Sequence, residues 1–468
     1  MNEIKSFVQQ LDDKPILVYG LGKSGKATVN ALSTAGAKVF IGDDNQENCD
    51  ALKSDFIQVV DLEQHDLKGF AYLVLSPGVP FTHPEPHDIV SKALDVDLEI
   101  VCDIELFRRI YPDIKTIGIT GTNGKSTTSS LITHILNDAG VRADFGGNIG
   151  TAVFDLDIAV RKPEWLVLEM SSFQIDLCPT FRPEISVILN ITPDHLDRHG
   201  SIENYADVKE RLVEAGAHKD GSAVICVDDK YTKKMADRAA ELALRKLLKV
   251  STTETQSEAI YVEDGKLYDG HGDTPIQIGD ISKLQTLKGI HNQQNAASAF
   301  AVAKMLGLET AQIWQGIESF PGLNHRQYLV RTINGVGYVN DSKSTNAASA
   351  AVALACQKNV YWIVGGRQKK TGLDGLESFF SHIKHAFLIG EATEEFALWF
   401  DQYGIEYTRC FNLETATEKA HTLAQDHRGQ PGGTGVVLLS PACASFDQYK
   451  SFEERGNHFA DLVSSLQE

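Results

Sequence analysis

Residues 116–136, TIGITGTNGKSTTSSLITHIL, leave little choice of local structure. Ile117 and Ile119 lie in a short apolar run that reads as a strand, and Leu131, Ile132, Ile135 and Leu136 share one face of a helix. Between them, Thr120-Gly121-Thr122-Asn123-Gly124-Lys125-Ser126 places small residues where the chain must turn sharply. Such a turn aims backbone N–H groups and the helix dipole at one point, which suits a phosphate. The spacing is not the common Gly-x4-Gly-Lys-[Ser/Thr] form, which would need glycine at Ile119. What remains, Gly121-x-x-Gly124-Lys125-Ser126, is a shorter cradle with a lysine for phosphate and a hydroxyl for Mg2+. The alternative is a plain glycine turn with an exposed lysine.

At about 150 residues per domain, the 468 residues suggest roughly three domains. The net charge of −19 repels nucleic acid and anionic membrane surfaces, so no nucleic-acid partner and no membrane insertion are expected. Seven scattered cysteines without C-x-x-C spacing fit reduced thiols, and the N-terminus lacks an apolar targeting segment, so a cytoplasmic protein is expected. Strands alternate with helices in three series, which predicts α/β domains with mainly parallel sheets. The first opens PILVYGLGKSGKATVNALSTAGAKVFIGDD, where Gly20-x-Gly22-x-x-Gly25, followed by Asp43 and Asp44, fits a dinucleotide fingerprint. The same turn serves any diphosphate, so NAD, FAD and other ligands all stay open. His83 and His87, in the Pro-rich SPGVPFTHPEPHD, read as solvated loop residues.

Glu169 ends the strand WLVLE, where a carboxylate beside a phosphate loop can ligate Mg2+ or simply be solvated. The strand ISVILN leads to Asp194-His195-Leu196-Asp197-Arg198-His199; zinc is disfavoured there because no matching Cys/His set appears. Lys209, in YADVKERL, reads by composition as an exposed helix lysine. In the third series, NDSKSTN, GGRQKK and SPACASFDQY each follow an apolar strand, as loops of one binding edge would.

Together, TGTNGKST, EMSSFQ, ITPDHLDRH, GIHNQQNAASA, HRQ, NDSKSTN and LSPACASFDQYKSFEERGNHF resemble the Mur ligase family from about residue 15 to the C-terminus. The resemblance implies an α/β chain of three domains. These are an N-terminal Rossmann-like UDP-sugar domain at 1–103, a central P-loop-type ATPase domain with a mainly parallel sheet at 104–322, and a C-terminal Rossmann-like amino-acid domain at 323–468. It implies the branch in which ATP phosphorylates the carboxylate of UDP-N-acetylmuramoyl-L-alanine and the amine of D-glutamate captures the acyl phosphate, a step in cell-wall precursor synthesis.

By the same resemblance, ATP meets Gly121, Thr122, Asn123, Gly124, Lys125, Ser126 and Thr127, with Asn292 and Asn295 on the adenine side and Arg326 and Asp341 contributed by the C-terminal domain. ATP contacts on two domains imply closure during turnover. Lys125, Glu169, His195 and Lys209 are the implied catalytic residues, and Ser126, Glu169, His195 and Lys209 the implied holders of Mg2+, expected as two ions. Lys209 matches a lysine that the family carbamylates with CO2. The UDP-substrate would contact Gly22, Lys23, Ser24, Asp43, Asp44, Ser76, Pro77, Gly78, Asn148 and His195, and D-glutamate would meet Lys343, Thr345, Lys369, Ser445 and Phe452.

A monomer is expected. Two departures stand out: GDDNQEN lacks the arginine often found after the equivalent aspartate, and GGRQKK leaves Lys369 and Lys370 competing for one position. Rival readings are a sister Mur-type ligase, a folylpolyglutamate-type ligase, a nucleotide-binding regulator and an NAD-dependent dehydrogenase.

Overall fold

The computed structural model describes residues 2–61, 65–148, 150–214, 221–241, 246–254, 258–368, 372–429 and 434–467. Three sheets organise them. The first has five strands, all parallel, in the order Ile57–Val59, Val39–Gly42, Ile16–Tyr19, Tyr72–Leu75, Ile100–Val101. Its first strand lies inside the sheet and the chain winds outward on both sides, so a crevice opens between the carboxyl ends of Ile16–Tyr19 and Tyr72–Leu75.

The second sheet has nine strands. Its parallel part runs Lys246–Ser251, Ser222–Cys226, Ile185–Ile188, Lys115–Thr120, Trp165–Glu169, Ala143–Gly147. The phosphate-loop strand is flanked by those ending at Glu169 and Ile188, so their following residues emerge at one edge. Beyond Lys246–Ser251 the sheet continues through Ala259–Glu263 into the antiparallel strands Lys266–Asp269 and Ile276–Asp280. The third sheet has six strands, parallel except for the Tyr328–Ile333 and Val336–Asn340 hairpin, in the order Tyr328–Ile333, Val336–Asn340, Val436–Leu439, Val360–Gly365, Ile383–Ile389, Tyr407–Phe411.

The chain forms two compact units. One comprises residues 1–284 and 290–320 and holds the first two sheets; the other comprises 285–289 and 321–468. The first two sheets share an apolar core in which Leu17, Leu73 and Phe107 join Leu166, Leu168 and Phe181. Glu105, 1% exposed, locks the same junction: it accepts hydrogen bonds from the Thr180 and Phe181 amides at 3.2 and 2.8 Å and pairs with Arg109 at 2.9 Å. Such bonds offset the cost of burying a carboxylate. Among the described residues no helix is long and apolar enough to cross a membrane.

Candidate active site

At the crevice of the first sheet, Gly20 takes φ +88° and a Cβ there would strike the Ser76 Cβ, so glycine is what lets the turn approach the neighbouring strand end. Ser76 Oγ donates to Gly20 O at 2.6 Å, and the helix Lys23–Thr34 starts just beyond. Gly22, Lys23, Ser24, Ser76, Pro77 and Gly78 are thereby brought to one rim. Lys23 Nζ donates to Gly150 O, beside the predicted Asn148.

Asp43 is committed to the turn itself, accepting from the amides of Leu21 at 2.5 Å and Asn45 at 2.9 Å and from Asn48 Nδ2 at 3.0 Å. Asp44 Oδ1 accepts from Tyr19 OH at 2.9 Å and meets His87 Nε2 at 3.0 Å. His87 is therefore not the solvated residue expected: it caps helix Asp88–Asp95 and anchors Asp44.

At the edge of the second sheet, Gly124 caps helix Lys125–Asp138 with φ +86°, and any Cβ there would collide with Asn295 Oδ1. Asn295 also accepts from Thr128 Oγ1 at 3.1 Å and donates to Asn292 Oδ1 at 3.0 Å, which holds the start of helix Ile290–Met305 against the loop. Asn190, which motif reasoning passed over, accepts from the Thr122 and Asn123 amides through its carbonyl and side-chain oxygen, both at 2.8 Å. It follows an all-buried strand, a position that signals a loop-holding role. Lys125 Nζ donates to Gly121 O and Thr122 O at 2.9 and 2.8 Å, over the cradle, while Ser126 and Thr127 are buried at the helix start.

Two buried charges face this loop. Glu169 is 0% exposed; its Oε1 accepts from Asn148 Nδ2 at 3.1 Å, and its Oε2 has no hydrogen-bond partner among the described residues. Lys209 is 1% exposed, so the composition reading of a surface lysine is corrected. Helix Ile202–Glu210 packs Tyr205, Ala206, Val208 and Lys209 inward, and the ammonium donates to Thr120 Oγ1 and Gly121 O, both at 3.1 Å, 4.7 Å from the Tyr205 ring centre. Burial, reinforced by the Lys125 charge, holds the Lys209 pKa well below its ordinary value.

His195 caps the short helix Leu196–His199 with φ +51° and lies 3.5 Å from Asp194 and 4.9 Å, ring to ring, from Phe173. Among the described residues no three His, Cys, Asp or Glu side chains come together as a metal cluster.

The second unit arranges its own edge. Asp341 is buried and accepts from Ser440 Oγ at 2.7 Å, from Ser344 Oγ, and from the Gln327 amide at 3.1 Å; burial pushes its pKa up to about 6. Arg326 is exposed, one residue after buried His325, and its charge acts on the Asp341 carboxyl in the lowering direction. Lys343 Nζ lies 5.9 Å from the Phe452 ring centre, Ser445 is buried, and Thr345 sits in the turn before helix Ala347–Cys356.

Arg455, missed from sequence, binds these loops: it donates to Ser342 Oγ at 3.0 Å, Ser342 O at 2.8 Å and Cys443 O at 3.1 Å. Burial lowers its pKa to about 10. In SFEERGNHF it looks like one more surface helix charge, so no sequence signal marks it. Lys369 and its competitor Lys370 lie outside the described residues.

Comparisons with known proteins agree with this architecture. The family model described as Mur ligase middle domain matches residues 119–303, and that described as Mur ligase MurD-like, N-terminal domain matches 14–101. The UDP-N-acetylmuramoylalanine--D-glutamate ligase of Agrobacterium fabrum is 45% identical over 458 residues, covering 97% of this chain and 96% of that protein. The like-named protein of Rhizobium meliloti is 45% identical over 464 residues, covering 98% of each.

Among solved structures, the UDP-N-acetylmuramate-alanine ligase MurC of Thermotoga maritima superposes with a TM-score of 0.58 at 15% identity, covering 96% of this chain and 99% of that one. MurF of Acinetobacter baumannii gives 0.54 at 18% identity, covering 77% and 79%. Both show the fold alone. From the domain matches and the full-length identity together, this chain belongs to the Mur ligase family.

Proposed function

We propose that this protein is an ATP-dependent ligase that joins D-glutamate to UDP-N-acetylmuramoyl-L-alanine in peptidoglycan precursor synthesis. The observation that carries the reading is a phosphate-cradling turn with a buried, half-satisfied carboxylate and a buried, easily deprotonated amine beside it. The near-full-length identity to proteins bearing that name supports the choice of substrates. A carboxylate resists amide formation because its oxygen leaves badly; phosphorylation by ATP gives an acyl phosphate, and the D-glutamate amine displaces phosphate from it.

The residues divide that work among the segments 1–103, 104–322 and 323–468. The turn at Gly22, Lys23, Ser24, Ser76, Pro77 and Gly78 takes the UDP diphosphate, with Asn148 and His195 on the muramoyl side. The Asp43 carboxylate, already engaged with Leu21 and Asn45, shapes the uracil-side turn. The Gly121–Thr127 loop residues cradle the ATP phosphates and Lys125 meets the transferring one, releasing its own loop carbonyls to do so. Asn292 and Asn295 serve the adenine side, and Arg326 and Asp341 the phosphate and ribose. Lys343, Thr345, Ser445, Phe452 and one of Lys369 or Lys370 receive D-glutamate, cations and hydroxyls meeting its two carboxylates.

The buried, unpartnered Glu169 Oε2 fits a metal ligand, as do the Ser126 hydroxyl at the helix start and His195. These groups would hold the ions jointly with nucleotide phosphates and a modified Lys209. When bound, Mg2+ shields the repulsion between anionic reactants. A neutral Lys209 amine attacks the carbon of CO2 and loses a proton to solvent, which replaces a poorly solvated cation by a carbamate anion facing the cradle. We place the protein in the cytoplasm as a monomer.

The test is ADP release by the purified protein with ATP, Mg2+ and UDP-N-acetylmuramoyl-L-alanine. Rapid release only on adding D-glutamate is expected; equal turnover with L-glutamate would overturn the assignment. Reduction of NAD would revive the dehydrogenase reading.

A further inference from the structure

The turn after strand Tyr72–Leu75 and the turn that carries His195 belong to different sheets, and one side chain joins them. Arg198 donates to Gly78 O at 3.0 Å, Val79 O at 3.0 Å and Pro77 O at 3.4 Å. Its guanidinium carbon lies 4.6 Å from the Phe173 ring centre. The same Phe173 ring is 4.9 Å from the His195 ring and stacks on His199 at 5.5 Å, whose Nε2 meets Ser172 Oγ at 2.9 Å. The Arg198 amide also donates to His195 O at 3.0 Å.

Arg198 spends its hydrogen bonds on three main-chain carbonyls, with the charges of Asp197 and Asp176 acting on it from nearby. Its planar fork fixes the spacing of the backbone it grips. A lysine ammonium could not reach all three in one plane while covering an aromatic face.

We propose that Arg198 is a positioning residue that couples the turn at 76–79 to the orientation of His195 through the face of Phe173. The inference rests on the reading of His195 as a residue of the reacting site. A ligand drawing on the Pro77 and Gly78 backbone shifts the carbonyls that Arg198 holds, and the guanidinium transmits that shift to the ring packed against His195. Binding of the nucleotide end of the substrate and readiness at the chemical end are thereby linked. Three of its five N–H donors are held by these carbonyls, which makes Arg198 part of the turn's frame.

The experiment compares wild type, R198A, R198K, H195A and the R198A/H195A pair as full chains, with kcat and KM measured for both co-substrates. For R198A we expect about a tenfold rise in KM for the UDP precursor and about a tenfold fall in kcat, with KM for D-glutamate unchanged. R198K should recover part of the loss. In the H195A background the effect of R198A on kcat should vanish, because the route through His195 is already broken. Multiplying losses in the double variant, or an equal rise in KM for D-glutamate, would overturn the coupling. Should R198A melt early, R198K/H195A, which keeps the charge and loses the fork, carries the same comparison. A wild-type protein that makes no amide would defeat the parent reading instead, so the two failures are distinguishable.

Discussion

Both compact units bury charge beneath their loops, and they do so in opposite ways. Beside the phosphate turn, Glu169 keeps one oxygen without a partner and Lys209 is held far below its usual pKa by burial. In the other unit, Asp341 collects three hydrogen bonds and Arg455 spreads its guanidinium over Ser342 and Cys443. An unsatisfied buried charge is costly in the free protein, and a reaction partner that satisfies it can offset that cost. A satisfied one, as at Arg455, needs no such partner to persist. The contrast teaches that burial alone does not mark a reacting group, and that an unmet bond does so only beside the phosphate turn, since Asp144 Oδ2 and Arg182 Nε are also buried without a hydrogen-bond partner among the described residues.

The largest expected effect breaks the first side of that contrast. Lys209→Ala should lower kcat by about 10²–10³-fold while leaving the melting temperature unchanged or raised, because a strained buried amine has been removed. Short carboxylic acids should restore part of the activity by standing in for the lost anion, and added CO2 should stimulate the wild type. An active alanine variant refutes the carbamate.

The second side should respond with stability instead. Arg455→Met leaves the Ser342 and Cys443 carbonyls without their donor, and each such loss costs about 1–3 kcal/mol. Denaturant unfolding should therefore show a loss of about 3 kcal/mol. A variant of native stability with abolished turnover would place Arg455 with Lys209 and dissolve the distinction.

Asp341 sharpens the same point through pH. Its folded pKa, pushed up to about 6 by burial from an ordinary 3.8, means that the native state holds a proton which the unfolded chain has released. Stability attributable to Asp341 is thus fully present below about 3.8 and declines as pH rises through about 6. Unfolding measured from pH 4 to 7 should show Asp341→Asn losing this decline, a difference of up to a few kcal/mol across the window. His199, with a pKa lowered by burial to about 4, opposes it: native His199 binds fewer protons than the unfolded chain up to its ordinary 6.5. The two residues must be varied separately.

Much of the scaffold was legible because local rules acted alone. The Gly124 turn, the apolar strand before it and the strand ending at Glu169 follow from periodicity and glycine placement. Where tertiary packing decided, the sequence was mute. Lys209 sits in a helix whose charges suggest solvent, and only the packing of Tyr205 and Lys209 toward Thr120 buries it. Strand Ile276–Asp280 is largely open to solvent, with no alternating pattern to betray it. His87 looked solvated because its partner, Asp44, is distant in the chain.

The smallest expected effect is the control that burial, rather than charge, separates the two classes. Arg409 and Glu394 form an exposed pair at 3.1 Å on the second unit, where solvent screens the attraction and both side chains lose freedom in making it. Arg409→Ala should leave turnover and melting temperature within experimental error. If it instead weakened the protein as much as Arg455→Met, the satisfied bonds of Arg455 would not explain its role, and the third sheet would have to be seen as held by its net charge pattern.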